Sequence, residues 1–390
     1  MSEAAVRSST STAVRTGELQ LLLLSAGTLL VLGAILIASA SMEIGADVHG
    51  NPFHFIIRQT AFILVGVAAA LVVANVPLEW WLRTGWVSLF TAIALLVLVL
   101  TPLGITVNGS TRWISLGVFN LQVSEFAKIL LIAYLAGYVV RRRDELINTW
   151  SGFLKPVGVL GLVSFLLITQ PDFGATVVLM AAALGMIFLS GVRLSRFLPL
   201  ISVCAVVGVL LIIFQPYRLK RVVAYLDPWK EQFDGGYQLT QSLIAFGRGE
   251  WMGTGLGNSV QKLFYLPEAH TDFIFAIAAE EFGLIGAMAI LLTFTVLIWM
   301  AFRIARNAEK AGMAFGACIA YGLALLMGLQ AFINMAVNTG LLPTKGLTLP
   351  LVSYGGSSMI ASCVAIGILA RVEMERQDQL ENTEVRNARK

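Results

Sequence analysis

Ionisable and amide side chains collect in four short stretches of an otherwise apolar chain. In one stretch Asp272 stands just before a long apolar run, close to Glu268 and His270. A carboxylate at a half-dry helix start is a good position for a general base, because burial raises its pKa towards the working pH. The structural alternative is that Thr271 or Asp272 caps the helix that follows.

Two lysines next to apolar segments have the chemistry to hold an anion. Lys345 is the only cation in a Pro- and Gly-containing stretch, 338–358, which also carries Ser353 and is typical of irregular backbone that lines a cavity. A single ammonium there suits phosphate. Lys128 lies one turn inside another apolar run, on the same helix face as Glu125. This pair is either an internal ion pair that locks two helices or a cation held for an anionic lipid head group.

The other polar residues of these stretches also have structural interpretations. Trp113, beside Arg112, is of the kind that anchors a chain at a membrane interface. Pro171 follows Gln170 and separates two apolar runs, and Asp172 is in position to cap the second of them. The sequence has no Walker loop, no HExxH motif and no cysteine cluster.

The composition assigns the chain to the membrane proteins. Apolar residues make up 57% of it and charged residues 13%, whereas roughly a quarter of the residues of soluble domains are charged. The mean hydropathy is +0.80. These values exclude a soluble enzyme, a nucleic-acid binder and a disordered chain.

The apolar runs predict an all-α polytopic membrane protein with about ten transmembrane helices. The predicted spans are 18–41, 54–76, 84–103, 123–140, 152–170, 173–191, 196–214, 272–302, 312–336 and 355–372. Lys and Arg concentrate in alternate short loops, so the positive-inside rule places both termini in the cytoplasm. One long loop, about 215–271, is then extracytoplasmic, and its segment 238–248 has the spacing of a short interfacial helix.

The polar ends of the chain flank this membrane domain. We predict a disordered cytoplasmic tail over 1–17, a transmembrane domain over 18–375 and a cytoplasmic C-terminal tail over 376–390.

Six motifs, in order, resemble those of the SEDS family (shape, elongation, division and sporulation) over residues 18–375. Residues 261–268 and 343–346 are more similar to the division member of the family than to its elongation member. Val123 departs from the family pattern, which often has proline there, and this leaves the entry angle of the helix at 123–140 open. The motifs are Arg112-Trp113-Ile114, Ser124-Glu125-x-x-Lys128, Gln170-Pro171-Asp172, Gln241-Ser242 with Gly247-Arg248-Gly249, Pro267-Glu268-Ala269-His270-Thr271-Asp272-Phe273, and Leu349-Pro350 with Ser353-Tyr354-Gly355-Gly356-Ser357-Ser358.

The resemblance implies a peptidoglycan glycosyltransferase that polymerises lipid II at the outer face of the bacterial inner membrane, at the division septum. It implies an inverting displacement with Asp272 as the general base. Residues expected to bind the substrate or its pyrophosphate are Arg112, Trp113, Glu125, Lys128, Lys345 and Ser353, and residues expected to support them are Gln170, Asp172, Gln241, Ser242, Glu268 and His270.

The same resemblance implies partners and leaves alternatives open. The expected partners are a class B penicillin-binding protein, which is an FtsI-like transpeptidase, and other membrane proteins of the divisome. A divalent cation, Mg²⁺ or Mn²⁺, could assist the leaving pyrophosphate, but no ligand set is legible in the sequence. Two other functions stay open, a lipid II flippase and a non-catalytic divisome scaffold.

Overall fold

The computed structural model describes residues 3–107, 109–115, 117 and 119–388, and most of them are helical. Eight helices are long and apolar enough to cross a membrane, and two shorter apolar helices, Gly85–Val99 and Phe173–Leu189, join them. The prediction of about ten spans is therefore confirmed. The spanning helices are α1 (Glu3–His49), α2 (His54–Ala74), α4 (Gly85–Val99), α5 (Val123–Arg141), α7 (Trp150–Thr169), α8 (Phe173–Leu189), α9 (Leu194–Ile213), α12 (Ile274–Lys310), α13 (Ala314–Asn338) and α14 (Gly356–Ala388).

In the described residues, four further α-helices and a short π-helical turn, Gln261–Tyr265, connect the spans. The four α-helices are α3 (Leu78–Arg83), α6 (Arg143–Asn148), α10 (Pro216–Leu226) and α11 (Tyr237–Gly249). The last of them confirms the predicted helix at 238–248, and α10 with α11 gives the long loop its order. The backbone of α1 starts at Glu3, and disorder of the N-terminal tail stays a prediction.

Burial divides the bundle into a centre and a periphery. The most apolar stretches of α5, α14 and α13 are 83%, 78% and 61% buried, whereas those of α2 and α9 are only 11% buried. The central helices therefore form the packed core, and α2 and α9 present most of their apolar surface to the lipid.

The segment between α4 and α5 forms a small antiparallel sheet. The all-α prediction did not include it. Its strands, β1 (Gly104–Val107), β2 (Ser110–Ser115) and β3 (Asn120–Gln122), lie in the order β1-β2-β3. Gly109 turns the chain between the first two strands with φ +74°, a conformation that glycine adopts without steric cost. The sheet fixes Arg112 and Trp113 on its middle strand.

The long helix α12 is interrupted at Gly283, where φ is +67°, about 14 Å along the helix from Ile274. The end of the long loop packs into this break. Thr254 N donates to Glu280 O at 3.0 Å, and Leu284 N donates to Glu250 O at 2.9 Å. The loop thus satisfies the backbone groups that the break leaves open, as required at membrane depth.

We predict that Gly283→Ala destabilises the protein by about 3 kcal/mol, because a positive φ and a close backbone contact both oppose a side chain here. A Cβ on Gly283 would lie 2.4 Å from the backbone nitrogen of Gly253. Denaturant unfolding in detergent measures the change. Gly158→Ala in α7 is the control, since a Cβ there meets nothing within 4 Å. Equal stability of the two variants would contradict the prediction.

Candidate active-site cavity

A cavity of about 1120 Å³ lies at one end of the bundle, where all four polar stretches meet. It is bounded by the adjoining ends of α1, α2, α5 and α8, by α10, and by the loops that precede α12 and α14. The predicted site residues on its wall are Arg112, Trp113, Glu125, Asp172, Glu268, Asp272 and Lys345. The predicted residues outside that lining are Lys128, Gln170, Gln241, Ser242, His270 and Ser353.

Asp272 is held by its main chain, so its carboxylate remains available to the cavity. The side-chain amides of Asn334 and Asn338, on α13, both donate to the main-chain oxygen of Asp272 at 2.9 Å. Asn338 Oδ1 also accepts from the backbone nitrogen of Ala276, at the start of α12. The cap position itself is Phe273, without a side-chain capping bond. The capping alternative for Asp272 is therefore wrong, and an amide from α13 serves the helix start instead.

The environment of Asp272 makes its carboxyl easy to protonate. Burial raises its pKa to about 7, and the charge of Glu268 acts in the same direction, whereas Arg112 and Arg221 act against it. Gly346 approaches closely from the opposite loop, because a Cβ there would lie 3.0 Å from Asp272 Oδ2. A carboxyl with a pKa near 7 can take a proton from a substrate at physiological pH.

Three basic residues form what we call the cationic wall of the cavity, namely Arg218, Arg221 and Lys345. Lys345 Nζ lies 4.2 Å from the centre of the Phe173 ring, and the Arg218 guanidinium lies 4.8 Å from it. Arg221 donates to the main-chain oxygen of Thr344 at 3.2 Å. Burial, with Arg218 nearby, lowers the pKa of Lys345 to about 8.

The sequence analysis missed Arg218 and Arg221 as site residues. A signal was present, because Pro216 suits the first turn of a helix and residues three apart share a helix face. The structure has Pro216 at the start of α10 and both arginines on the cavity wall.

Arg112 is fixed beside the break between α7 and α8. It donates to Pro171 O at 2.7 Å and to Ser110 Oγ at 2.9 Å, and it pairs with Asp172 at 3.7 Å. Asp172 also accepts from the backbone nitrogen of Ala175, so the predicted cap is confirmed. Ser124 donates to the second oxygen of Asp172 at 2.9 Å.

Lys128 is buried behind the cavity wall. Its ammonium donates to Glu125 Oε1 at 2.8 Å and to Gln330 Oε1 at 2.7 Å. Gln330 in turn donates to the main-chain oxygen of Thr348 at 3.1 Å. These contacts have the form of the internal ion pair, and the contact of Lys128 with a substrate stays a prediction.

The other predicted residues outside the lining support the elements around it. Gln170 donates to the main-chain oxygen of Leu96, and Ser242 to that of Asn338. Ser353 Oγ accepts from the backbone nitrogen of Leu349.

The main-chain oxygen of His270 accepts from the backbone nitrogen of Tyr354. Gln241 lies on α11.

The part of the chain that the structure describes contains no group of three or more His, Cys, Asp or Glu side chains that could hold a metal ion. Mg²⁺ is usually held by one or two carboxylates together with substrate phosphates, and we derive no chemical step through a metal.

We predict that Lys128→Met lowers the free energy of unfolding by about 3–5 kcal/mol, because it leaves the buried Glu125 carboxylate unpaired. Combining it with Glu125→Gln removes that charge, so the double variant regains most of the loss. Lys155→Met is the control, since Lys155 pairs with Glu145 at an exposed site and such pairs contribute about 1 kcal/mol or less. Denaturant unfolding compares them. An unchanged stability of Lys128→Met would favour a substrate contact over the ion pair.

The chain is similar to known proteins along most of its length. A family model described as cell cycle protein, for FtsW, RodA and SpoVE, matches residues 19–378. A protein of Marinobacter nauticus named probable peptidoglycan glycosyltransferase FtsW is 68% identical over 93% of this chain and 92% of its own length. A protein of Hahella chejuensis with the same name is 55% identical over 99% of this chain and 98% of its own.

Solved structures share the fold. A chain from a structure titled as the coordination of polymerization and crosslinking by a peptidoglycan synthase complex superposes with a TM-score of 0.76, at 25% identity, over 91% of this chain and 97% of that chain. The crystal structure of the rod shape determining protein RodA of Thermus thermophilus gives a TM-score of 0.67 at 23% identity, over 91% of this chain and 96% of that chain. The match to the family model and these relatives show that this membrane protein belongs to the FtsW, RodA and SpoVE cell cycle protein family, the SEDS proteins, and resembles FtsW.

Proposed function

We propose that this protein is a peptidoglycan glycosyltransferase that polymerises lipid II during septal wall synthesis. The observation that carries the proposal is the Asp272 carboxyl, which lies in a large cavity with a pKa of about 7 together with the cationic wall. A base and an anion site in one cavity are what transfer from a pyrophosphate-linked sugar requires. The names of the FtsW relatives support the same activity.

The reaction is a single displacement. Asp272 accepts the proton of the 4-hydroxyl of the acceptor GlcNAc, and that oxygen forms a bond to the anomeric carbon of the donor MurNAc. The bond from this carbon to the pyrophosphate oxygen breaks, and undecaprenyl pyrophosphate leaves with the electron pair. The α-linked donor becomes a β-linked product without a covalent enzyme intermediate. The cationic wall stabilises the charge that develops on the leaving group.

The cavity faces the outside of the cytoplasmic membrane in this proposal. Glu125, near the start of α5, lines the cavity, whereas Arg141 ends the same helix 16 residues later, next to Arg142 and Arg143. The positive-inside rule assigns this arginine cluster to the cytoplasm. The opposite end of α5, and the cavity with it, is then at the periplasmic face, where lipid-linked precursors need no nucleotide.

The expected partner is a class B penicillin-binding protein, within a larger set of divisome proteins. The support is that a similar chain was solved in a peptidoglycan synthase complex. A transpeptidase beside the cavity would crosslink the strand as the glycosyltransferase extends it.

A second, smaller cavity of about 230 Å³ bears on the flippase alternative. It lies beside Arg143, Glu309 and Tyr321, at the arginine-rich end of the bundle, and it shares no lining residue with the large cavity. Two separate cavities favour an enzyme that acts from one face over a transporter that needs a continuous polar path.

We predict that Asp272→Asn lowers the rate of lipid II polymerisation by about 10²–10⁴-fold, the usual contribution of a general base. The assay uses the purified protein with its class B partner and measures glycan polymer. Glu268→Gln is the matched control, because it keeps the Asp272 carboxyl and removes the Glu268 charge, which contributes to the raised pKa of that carboxyl. Normal polymer from Asp272→Asn would remove Asp272 from the chemistry.

The pH profile of kcat/KM tests the two ionisations together. Asp272 must be deprotonated to act as a base, so activity rises as the pH increases through about 7. Lys345 must be protonated to bind the pyrophosphate, so activity falls as the pH increases through about 8. In Lys345→Arg the falling limb moves to higher pH, because a guanidinium keeps its charge. A falling limb that stays in place would exclude Lys345 as its cause.

A further inference from the structure

Six of the ring-bearing side chains that line the cavity pack into one series, on the side built by α1, α2 and the segments before α5 and α14. We call them the aromatic wall, and they are His49, His54, Phe55, Phe62, Phe119 and Tyr354. The cationic wall lies on other elements, α10 and the loop 343–348.

The rings of the aromatic wall form one connected series. The imidazoles of His49 and His54 stack with their centres 3.8 Å apart. Phe55 lies 5.3 Å from His54 and 5.2 Å from Tyr354. Phe62 continues the series, 6.5 Å from Tyr354. These distances are typical of packed aromatic pairs, so the rings support one another as a surface.

The series extends beyond Tyr354 and is backed from within the protein. Phe62 lies 5.9 Å from Phe119, which ends the wall next to β3. His270 lies behind the wall, with its ring 4.9 Å from Phe55 and 5.6 Å from Tyr354. Because His270 belongs to the segment that carries Asp272, the wall and the base are joined by direct packing.

We propose that the aromatic wall is a carbohydrate-binding platform that holds the growing glycan strand against the base. The inference rests on the proposed function and adds to it a site for the sugar units of the substrate. Pyranose rings have faces rich in C–H groups, which pack flat on the electron-rich faces of aromatic rings. The hydroxyl and N-acetyl groups at the sugar edge remain free for hydrogen bonds.

Polar side chains beside the aromatic wall can hydrogen-bond to the hydroxyl and N-acetyl groups of a sugar. The imidazoles of His49 and His54 present ring nitrogens, and Arg58 lines the cavity one turn further along α2. Arg58 also lies close enough to Tyr354 to oppose the rise that burial causes in the pKa of its phenol. A sugar that lies on the rings would therefore find donors and acceptors within reach of its rim.

The position of the wall favours a sugar over a polyprenyl chain. His49 is the last residue of α1 and His54 the first of α2, so both lie at the outer corner between two membrane spans. A polyprenyl chain belongs in the hydrocarbon, whereas a finished strand must leave the cavity towards water. The two walls thus separate the two parts of the substrate, with pyrophosphate on the cations and sugars on the rings.

A binding experiment in Asp272→Asn protein tests the platform without turnover. The probe is chitotetraose, a β-1,4-linked GlcNAc tetramer, and saturation-transfer NMR on protein in nanodiscs measures its affinity. We expect His49→Leu and Phe55→Leu to weaken binding by about tenfold each, since each removes one ring face. Phe233→Leu is the control, because Phe233 is 89% exposed and outside the cavity lining.

The active protein gives the second measurement, which is glycan strand length. We expect His49→Leu to shorten the strands, because a strand that is held less tightly leaves the cavity after fewer couplings. Unchanged tetramer affinity and unchanged strand length would overturn the platform. Weaker binding of undecaprenyl phosphate, with unchanged tetramer binding, would overturn it in favour of a polyprenyl site.

Folding and the proposed function are controlled separately. His49 is exposed, so its replacement removes little packing, and His49→Leu alone decides the outcome if Phe55→Leu does not fold. If the wild-type protein makes no polymer with its partner, the proposed function is contradicted, whether or not chitotetraose binds. If it makes polymer and the tetramer does not bind, only the platform fails.

Discussion

Three buried amides on α13 hold together the end of the molecule that contains the large cavity. Gln330, Asn334 and Asn338 are spaced by four residues, so they lie one above another on one helix face. Asn334 donates to the main-chain oxygens of Asp272 and Leu347, Asn338 donates to Asp272, and Gln330 donates to Thr348. Irregular backbone is costly at membrane depth unless its polar groups are satisfied. The amides meet this need for both loops of the cavity, and so they fix the main chain at Asp272 and at the loop that carries Lys345.

The sequence was sufficient for the framework of the fold. Hydropathy, turn chemistry and the cost of charges near lipid predict the spans, the break at Pro171 and the helix α11. They also predict that Asp272 and Lys345 lie at the same end of the bundle. The amides of α13 were missed, because three amides in an apolar helix have no partners in the sequence. Their role exists only after two distant loops fold over that helix face. The sheet around Arg112 was missed for a related reason, since its strands are too short to give an alternating pattern.

Burial in the apolar cavity shifts the pKa values of Asp272 and Lys345 in opposite directions. Burial raises the pKa of Asp272 and lowers that of Lys345, so each group is easier to neutralise than in water. A bound diphosphate adds negative charge, which favours the protonated form of both groups. Lys345, which with a pKa of about 8 is already mostly protonated near pH 7, is then held in its charged form. Asp272 becomes a stronger acceptor for the proton of the attacking hydroxyl.

The two sides of the cavity also differ in how firmly they are held. Asp272 is tied to α13, in the buried centre of the bundle, whereas the cationic wall includes α10, which follows the lipid-exposed helix α9. In the proposed reaction Asp272 therefore keeps its position, while the leaving group is bound partly by an element at the periphery of the bundle. Undecaprenyl pyrophosphate is a lipid, and after the sugar bond breaks it has to return to the membrane. In this proposal the cationic wall holds the leaving group and the aromatic wall holds the strand, so the two products separate from different sides of the cavity.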